Sequence, residues 1–239
     1  MIRCSATGMR DFFECPQRFW YRTNHPDKAI LSKHVVFGAI VHEAIEKFKE
    51  PGPAVTWAYD EWDERAGGNF AKKVNKPPKN FSRMLGNYYF AIAPKLKAEK
   101  RDKIEYFFRL PWTHWNGEQK VQLVGKMDRI IDNIIIDWKT AGRKPSSYQL
   151  HDMQFYIYEY AFEQIFGERP EVYFGYLQDG ELIKVDMKES LRDNMFRVIN
   201  RFLDNINKKP YRIVGYHCRD CFYRNICFSE METGVVLEY

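Results

Sequence analysis

At 239 residues, with 45% hydrophobic and 29% charged positions, the chain is long enough for one substantial core or two small domains, and its composition is that of a soluble globular protein. No apolar run approaches the roughly eighteen residues of a membrane-spanning helix, so no membrane partner is expected. The net charge of +5 favours a polyanionic partner weakly, and the 16% aromatic content leaves rings for stacking as well as packing.

The N-terminus, M-I-R-C-S-A-T-G-M-R, shows neither the apolar stretch nor the cleavage pattern of an export signal, and the five cysteines are an odd number. Both features point to a cytoplasmic, reducing setting, where clustered cysteines serve as metal ligands more often than as disulfides.

Ser5 predicts the N-cap of a short helix running toward Cys15-Pro16, and Pro16 either breaks that helix or begins the next. Arg10, Arg18 and Arg22 alternate there with Phe12, Phe13, Phe19, Trp20 and Tyr21, which suits a core with a charged rim as well as a nucleic-acid surface. A second helix is predicted over Val36 to Glu50. It carries His42 in G-A-I-V-H-E, where Gly38 at the i−4 position lets another backbone approach the same face. Residues 51–103 read as a helical insertion broken at Pro51-Gly52-Pro53 and Lys76-Pro77-Pro78-Lys79. The lysine-rich run from Pro94 to Lys103 suits a solvated face or phosphate contact.

Ile104 to Pro111 alternates as a strand, and Trp112 to Gly117 reads as a turn. The next stretch, V-Q-L-V-G-K-M-D-R-I-I-D-N-I-I-I-D-W-K-T (121–140), predicts a β-hairpin turning at Asp132-Asn133, residue types that tolerate positive φ. A two-residue turn pairs Ile131 with Ile134 and sets Asp128 opposite Asp137, with Cβ atoms about 5 Å apart on one face. Two carboxylates that close repel unless a cation lies between them. Lys139 points to the same face, because strand side chains alternate. Two acids for a divalent cation with a lysine beside them are a pattern for chemistry on an anion.

After a loop at 141–147, a helix is predicted from Tyr148 to Phe166, with Gln154 and Tyr158 on one face and Gly167 closing it. Val172–Leu177 and Glu181–Asp186 form a second hairpin around Asp179-Gly180. Ser190 begins an amphipathic helix reaching Asn207. This order of elements is an α/β arrangement with a mixed sheet.

The segment H-C-R-D-C-F-Y-R-N-I-C places Cys218, Cys221 and Cys227 at C-x2-C-x5-C spacing. Three thiolates leave one ligand missing, for which Cys15 and Cys4 are the candidates. Zinc and an iron–sulfur cluster both accept four cysteines, and the spacing does not choose between them.

Taken together, these segments resemble the RecB-like branch of the PD-(D/E)XK nucleases. The likeness is closest to members with a four-cysteine [4Fe–4S] cluster, as in CRISPR-associated and AddB-type nucleases. It rests on six segments in order: C-P-Q-R-F-W at Cys15, G-A-I-V-H at His42, G-K-M-D at Asp128, D-W-K at Asp137 to Lys139, Q-F-Y-I-Y at Gln154 to Tyr158, and the last three cysteines.

The resemblance implies a single domain over residues 1–239, with a restriction-endonuclease-like core: a mixed central sheet flanked by helices, the helical insertion at 51–103, and a C-terminal cysteine segment at 211–239. It implies that His42, Asp128, Asp137 and the carbonyl of Trp138 bind Mn2+ or Mg2+, and that Lys139 assists the attacking water. Gln154 and Tyr158 would contact DNA or support the lysine. Cys15, Cys218, Cys221 and Cys227 would hold a structural [4Fe–4S] cluster joining the chain ends, with Cys4 as the spare. The activity implied is a DNA nuclease, an exonuclease on single strands or DNA ends, in recombination and repair, CRISPR adaptation or viral DNA processing, with helicase or CRISPR-adaptation proteins as partners. The competing expectation is a nucleic-acid-binding or assembly module with a vestigial nuclease site and a Cys4 zinc site.

Overall fold

Ser5 caps α1 (Ala6–Glu14), its hydroxyl accepting the Gly8 N–H at 3.1 Å. Pro16 opens α2 (Pro16–Asn24) rather than only ending a helix, because at the first helical position its missing N–H has no partner to lose. Cys15 is the extended residue between the two helices. The computed structural model describes residues 3–66, 76, 77, 79–117 and 120–233. Residues 67–75 and 78 of the expected insertion, and 234–239 of the C-terminal segment, lie outside the described residues.

The third helix, α3 (Lys33–Lys47), starts earlier than the expected Val36 because Ser32 supplies its cap, accepting the Val35 N–H. α4 (Pro51–Ala66), α5 (Phe81–Asn87) and a π-helical turn (Tyr88–Ile92) follow. Trp62, Phe81, Met84, Leu85 and Ile92 are fully buried and share one cluster with Phe37, Ile40 and Ala44 of α3. The section expected as an insertion thus supplies part of a core layer.

Among the described residues, six strands form one mixed sheet. β2 (Asp102–Thr113) runs antiparallel along the whole of β3 (Lys120–Ile131). Pairing with the first half of β3 is why β2 continues through Trp112, where a turn was expected. The other edge of β3 takes the two-residue β1 (Arg3–Cys4) in parallel near its start and β4 (Ile134–Lys139) in antiparallel near its end. β5 (Glu171–Tyr176) joins β4 in parallel, and β6 (Glu181–Lys184) pairs antiparallel to β5.

Parallel neighbours need a long crossover. Here it comprises α6 (Ser147–Leu150) and α7 (Met153–Phe166). The single helix expected from Tyr148 is split in two, because the Asp152 carboxylate accepts the Gln154 N–H and starts a new helix. α8 (Glu189–Asn205) and α9 (Arg224–Thr233) complete the chain.

Helices cover both faces of the sheet. Met9 of α1, Phe155, Ile157 and Phe162 of α7, and Ile199 and Phe202 of α8 pack with Ile130 and Ile135. The α3–α5 layer packs with Ile131, Ile136 and Trp138. Adjacent residues of β4 therefore face different layers, which explains why I-I-I-D-W-K is a nearly unbroken apolar run rather than an alternating one.

Candidate active site

The β3–β4 turn has the predicted two residues. Ile131 pairs with Ile134, and Asp132 takes a φ of 51°. The Asp132 carboxylate accepts the backbone N–H groups of Glu99, Lys100 and Arg101 at 2.7–3.0 Å, fastening the turn to the chain entering β2. These bonds to the charged form hold its carboxyl below the usual carboxylate range.

The ladder runs from Ile131↔Ile134 to Arg129↔Ile136, and its continuation sets Asp128 across from Asp137. At that point a side chain takes over from the backbone: Asp128 Oδ2 accepts the Trp138 N–H at 2.8 Å. Both carboxylates are buried, with 8% of Asp128 and 1% of Asp137 exposed.

His42 reaches this opening from α3, its Nδ1 3.5 Å from Asp128 Oδ2. A Cβ at Gly38, one turn earlier, would lie 3.2 Å from the Thr140 hydroxyl, so glycine there lets α3 approach the end of β4. From the other side, Gln154 of α7 donates through Nε2 to Asp137 Oδ1 at 2.9 Å and to the Tyr158 hydroxyl at 2.6 Å. Tyr158 in turn donates to the carbonyl of Lys126. Gly125 makes room for this chain of bonds: a Cβ there would lie 2.5 Å from the Phe108 ring and 3.3 Å from Tyr158. Lys139 Nζ lies 2.5 Å from Asp137 Oδ2.

The electrostatics follow from burying two acids side by side. Burial raises the Asp137 carboxyl and the Asp128 charge raises it further, while Lys139 opposes both; the result is a pKa pushed up to about 6. Asp128 is equally buried, but the His42 ring and the Trp138 N–H favour its charge and hold it below the usual range. Burial works against charge on His42 and on Lys139, yet the neighbouring carboxylates outweigh it and raise both. A desolvated acid pair of this kind is stabilised by a bound cation.

One residue escaped the sequence reading. Glu105 of β2 falls opposite Asp128, between the pairs Ile104↔Arg129 and Tyr106↔Met127, and its φ is 50°. Donor atoms of His42, Glu105 and Asp128 all lie within 4.8 Å of one another. The available signal was that Glu105 is the only acid from Ile104 to Thr113. Carboxylate oxygens with one imidazole nitrogen fit a hard divalent ion such as Mg2+ or Mn2+.

A second group of residues meets at the chain ends. Cys15, Cys218, Cys221 and Cys227 line one pocket together with Arg18, Arg212 and Arg224. Its walls are tied by bonds from Gln17 N–H to the Tyr211 carbonyl at 3.1 Å, Ile30 N–H to the Phe222 carbonyl at 2.8 Å, and the Tyr21 hydroxyl to Glu230 at 2.5 Å. Burial raises the thiols of Cys221 and Cys227. Four cysteines are a donor set that zinc and an iron–sulfur cluster both accept; of the arginines beside them, Arg18 is paired with Asp11 and Glu14, and Arg212 with Glu230. Cys4 is elsewhere, fully buried in the core with its thiol pushed up to about 12 by that burial.

A mixed sheet opened at two buried acids, with an imidazole and a lysine beside them, defines a class of site whose donor atoms suit a divalent cation. Residues 3–228 match the PD-(D/E)XK nuclease superfamily, and the chain belongs to it. A candidate exonuclease from Eubacterium rectale shares the fold with a TM-score of 0.59 at 14% identity, over 98% of this chain and 89% of its own. The crystal structure of SSO0001 gives 0.52 at 15% identity, over 95% of this chain and 86% of that one. At these identities the likeness concerns the fold alone. No curated protein matches the chain. Among the described residues, no helix is long and apolar enough to cross a membrane.

Proposed function

We propose that the protein is a divalent-metal-dependent deoxyribonuclease, acting as an exonuclease on single strands or DNA ends. The observation that carries this reading is the meeting of His42, Asp128, Asp137 and Lys139 at the mouth of the β3–β4 hairpin. His42, Asp128, Asp137 and the carbonyl of Trp138 are the residues to hold Mn2+ or Mg2+. A divalent ion held by these residues would lower the pKa of a bound water and polarise a phosphate oxygen.

The chain's own groups do the rest. Lys139, kept charged by the carboxylates around it, supplies fixed positive charge where the phosphate accumulates negative charge. Gln154 holds the Asp137 carboxylate, and Tyr158 fixes Gln154 by anchoring to the β3 backbone. With its ring buried and its hydroxyl engaged, Tyr158 suits support of the lysine better than contact with DNA.

The cysteine pocket belongs to the same reading, as the seat of a structural [4Fe–4S] cluster. Protein purified without air should be brown, with broad absorbance near 400 nm, as for thiolate-bound iron–sulfur centres; a colourless preparation with one zinc per chain assigns the pocket to zinc.

Activity is tested by incubating end-labelled single-stranded, linear duplex and circular DNAs with Mn2+ or Mg2+, with EDTA as control. Metal-dependent loss of label from the linear substrates is expected. DNA that is shifted in a gel but never cut would replace the enzyme with a binding module.

A further inference from the structure

Glu105 is the acid the proposed mechanism leaves unused. Counting charges at the site shows why it matters. Lys139 pairs with Asp137 at 2.5 Å, so one acid already has its cation. A divalent ion held by His42, Asp128 and Asp137 then shares Asp137 with that ammonium, and only the Asp128 carboxylate is left to the ion alone. Glu105 supplies a second, because its carboxylate shares the 4.8 Å grouping with His42 and Asp128.

Glu105 has a partner of its own in this structure. Lys126 pairs with its carboxylate, and while only 15% of the Glu105 side chain is exposed, 55% of Lys126 is. Lys126 lies two residues before Asp128 on β3, while Glu105 sits across the ladder from Asp128, so one carboxylate is within reach of both the ammonium and the metal position. The long, more exposed lysine stem can swing out into water, while the Glu105 side chain is the more buried of the two.

Resting on the metal-site reading above, we propose that Glu105 is a further metal ligand and that Lys126 is the group the metal displaces from it. In the metal-free protein the ammonium neutralises Glu105. Once the carboxylate turns to the ion, the charge of Lys126 is released at the rim of the site, where a DNA phosphate can accept it. Metal occupancy and affinity for the substrate backbone are thereby coupled through one side chain.

The test follows Mn2+ binding to the full chain without DNA, by loss of the free-ion signal in electron paramagnetic resonance. Glu105→Gln should weaken binding at least about tenfold. Glu105→Gly, which suits a φ of 50° and so keeps the backbone as it is, should do the same. Lys126→Met should tighten binding in the wild-type background and change nothing when combined with Glu105→Gln. If both Glu105 variants bind within about twofold of wild type while Asp128→Asn abolishes binding, Glu105 is no ligand and the metal-site reading stands. A gain from Lys126→Met that persists without Glu105 is a general charge effect and overturns the displacement. Asp128→Asn binding like wild type overturns the metal-site reading itself.

Discussion

The acidic site and the cysteine pocket are built in opposite ways. The first takes its two aspartates from one hairpin, where a two-residue turn and three ladder pairs determine how they face. The second joins Cys15 to cysteines about two hundred residues later, and among the described residues no strand ladder holds it. A scaffold made from local strand pairing exists before its ligand arrives. A pocket made by bringing distant segments together would depend on a metal held there, because binding to such a pocket contributes folding free energy. The first site should therefore lose chemistry when altered, and the second should lose stability.

The largest effect expected is on cleavage. Asp137→Asn keeps an acceptor for Gln154 but removes the charge, and it should lower the cleavage rate at least about 100-fold. Circular dichroism should show the variant folded; near wild-type cleavage would remove Asp137 from the site. Cys221→Ser should do the reverse, lowering the thermal midpoint by about 10 °C, since a few kcal/mol moves a domain of this size by that much. A Cys221→Ser protein as stable as wild type would erase the contrast.

The smallest effect is a difference in pH slope. Burial pushes the Asp137 carboxyl up to about 6 in the fold, above its value in the unfolded chain. The native state thus binds more protons than the unfolded state between about pH 4 and 6, and metal-free stability falls as pH rises through that window. Asp128 is shifted the other way and titrates below it. Mn2+ competes with the proton on Asp137, so apparent Mn2+ affinity should fall roughly tenfold per unit below about pH 6. Between about pH 4 and 6, thermal scans should therefore show stability falling with pH without Mn2+ and staying nearly level with it; parallel slopes would mean that Asp137 does not bind the ion.

How much of this was legible follows from how far each feature reaches along the chain. The hairpin, the Ser5 cap and the face shared by Gln154 and Tyr158 depend on neighbours within a few residues, and the sequence pattern carried them. Gly38 beside His42 pointed to a close approach, and Thr140 is what approaches. Glu105 was missed because its role comes from register across β2 and β3, which alternation alone does not reveal. The same is true of β1, whose two residues form a strand only because β3 offers an edge. Cys4 and Cys15 were equivalent by spacing; only the packing of the core around Cys4 separates them. Asp132 was read as a turn former, and its second task as acceptor for three backbone N–H groups depends on where residues 99–101 lie.

The bonds tying α2 to the far end of the chain also set an order of events during synthesis. The ribosome releases α1 and α2 before α8 and α9, yet Phe12 and Phe19 stack edge-on against Phe202, and Tyr21 bonds Glu230. A nascent chain that has just released β4 can already pair β2, β3 and β4 as neighbours, while these rings still wait for partners not yet made. These contacts of the N-terminal helices therefore cannot form until α8 and α9 have been made. The interval in which their aromatic faces stand open lasts as long as translation of the second half.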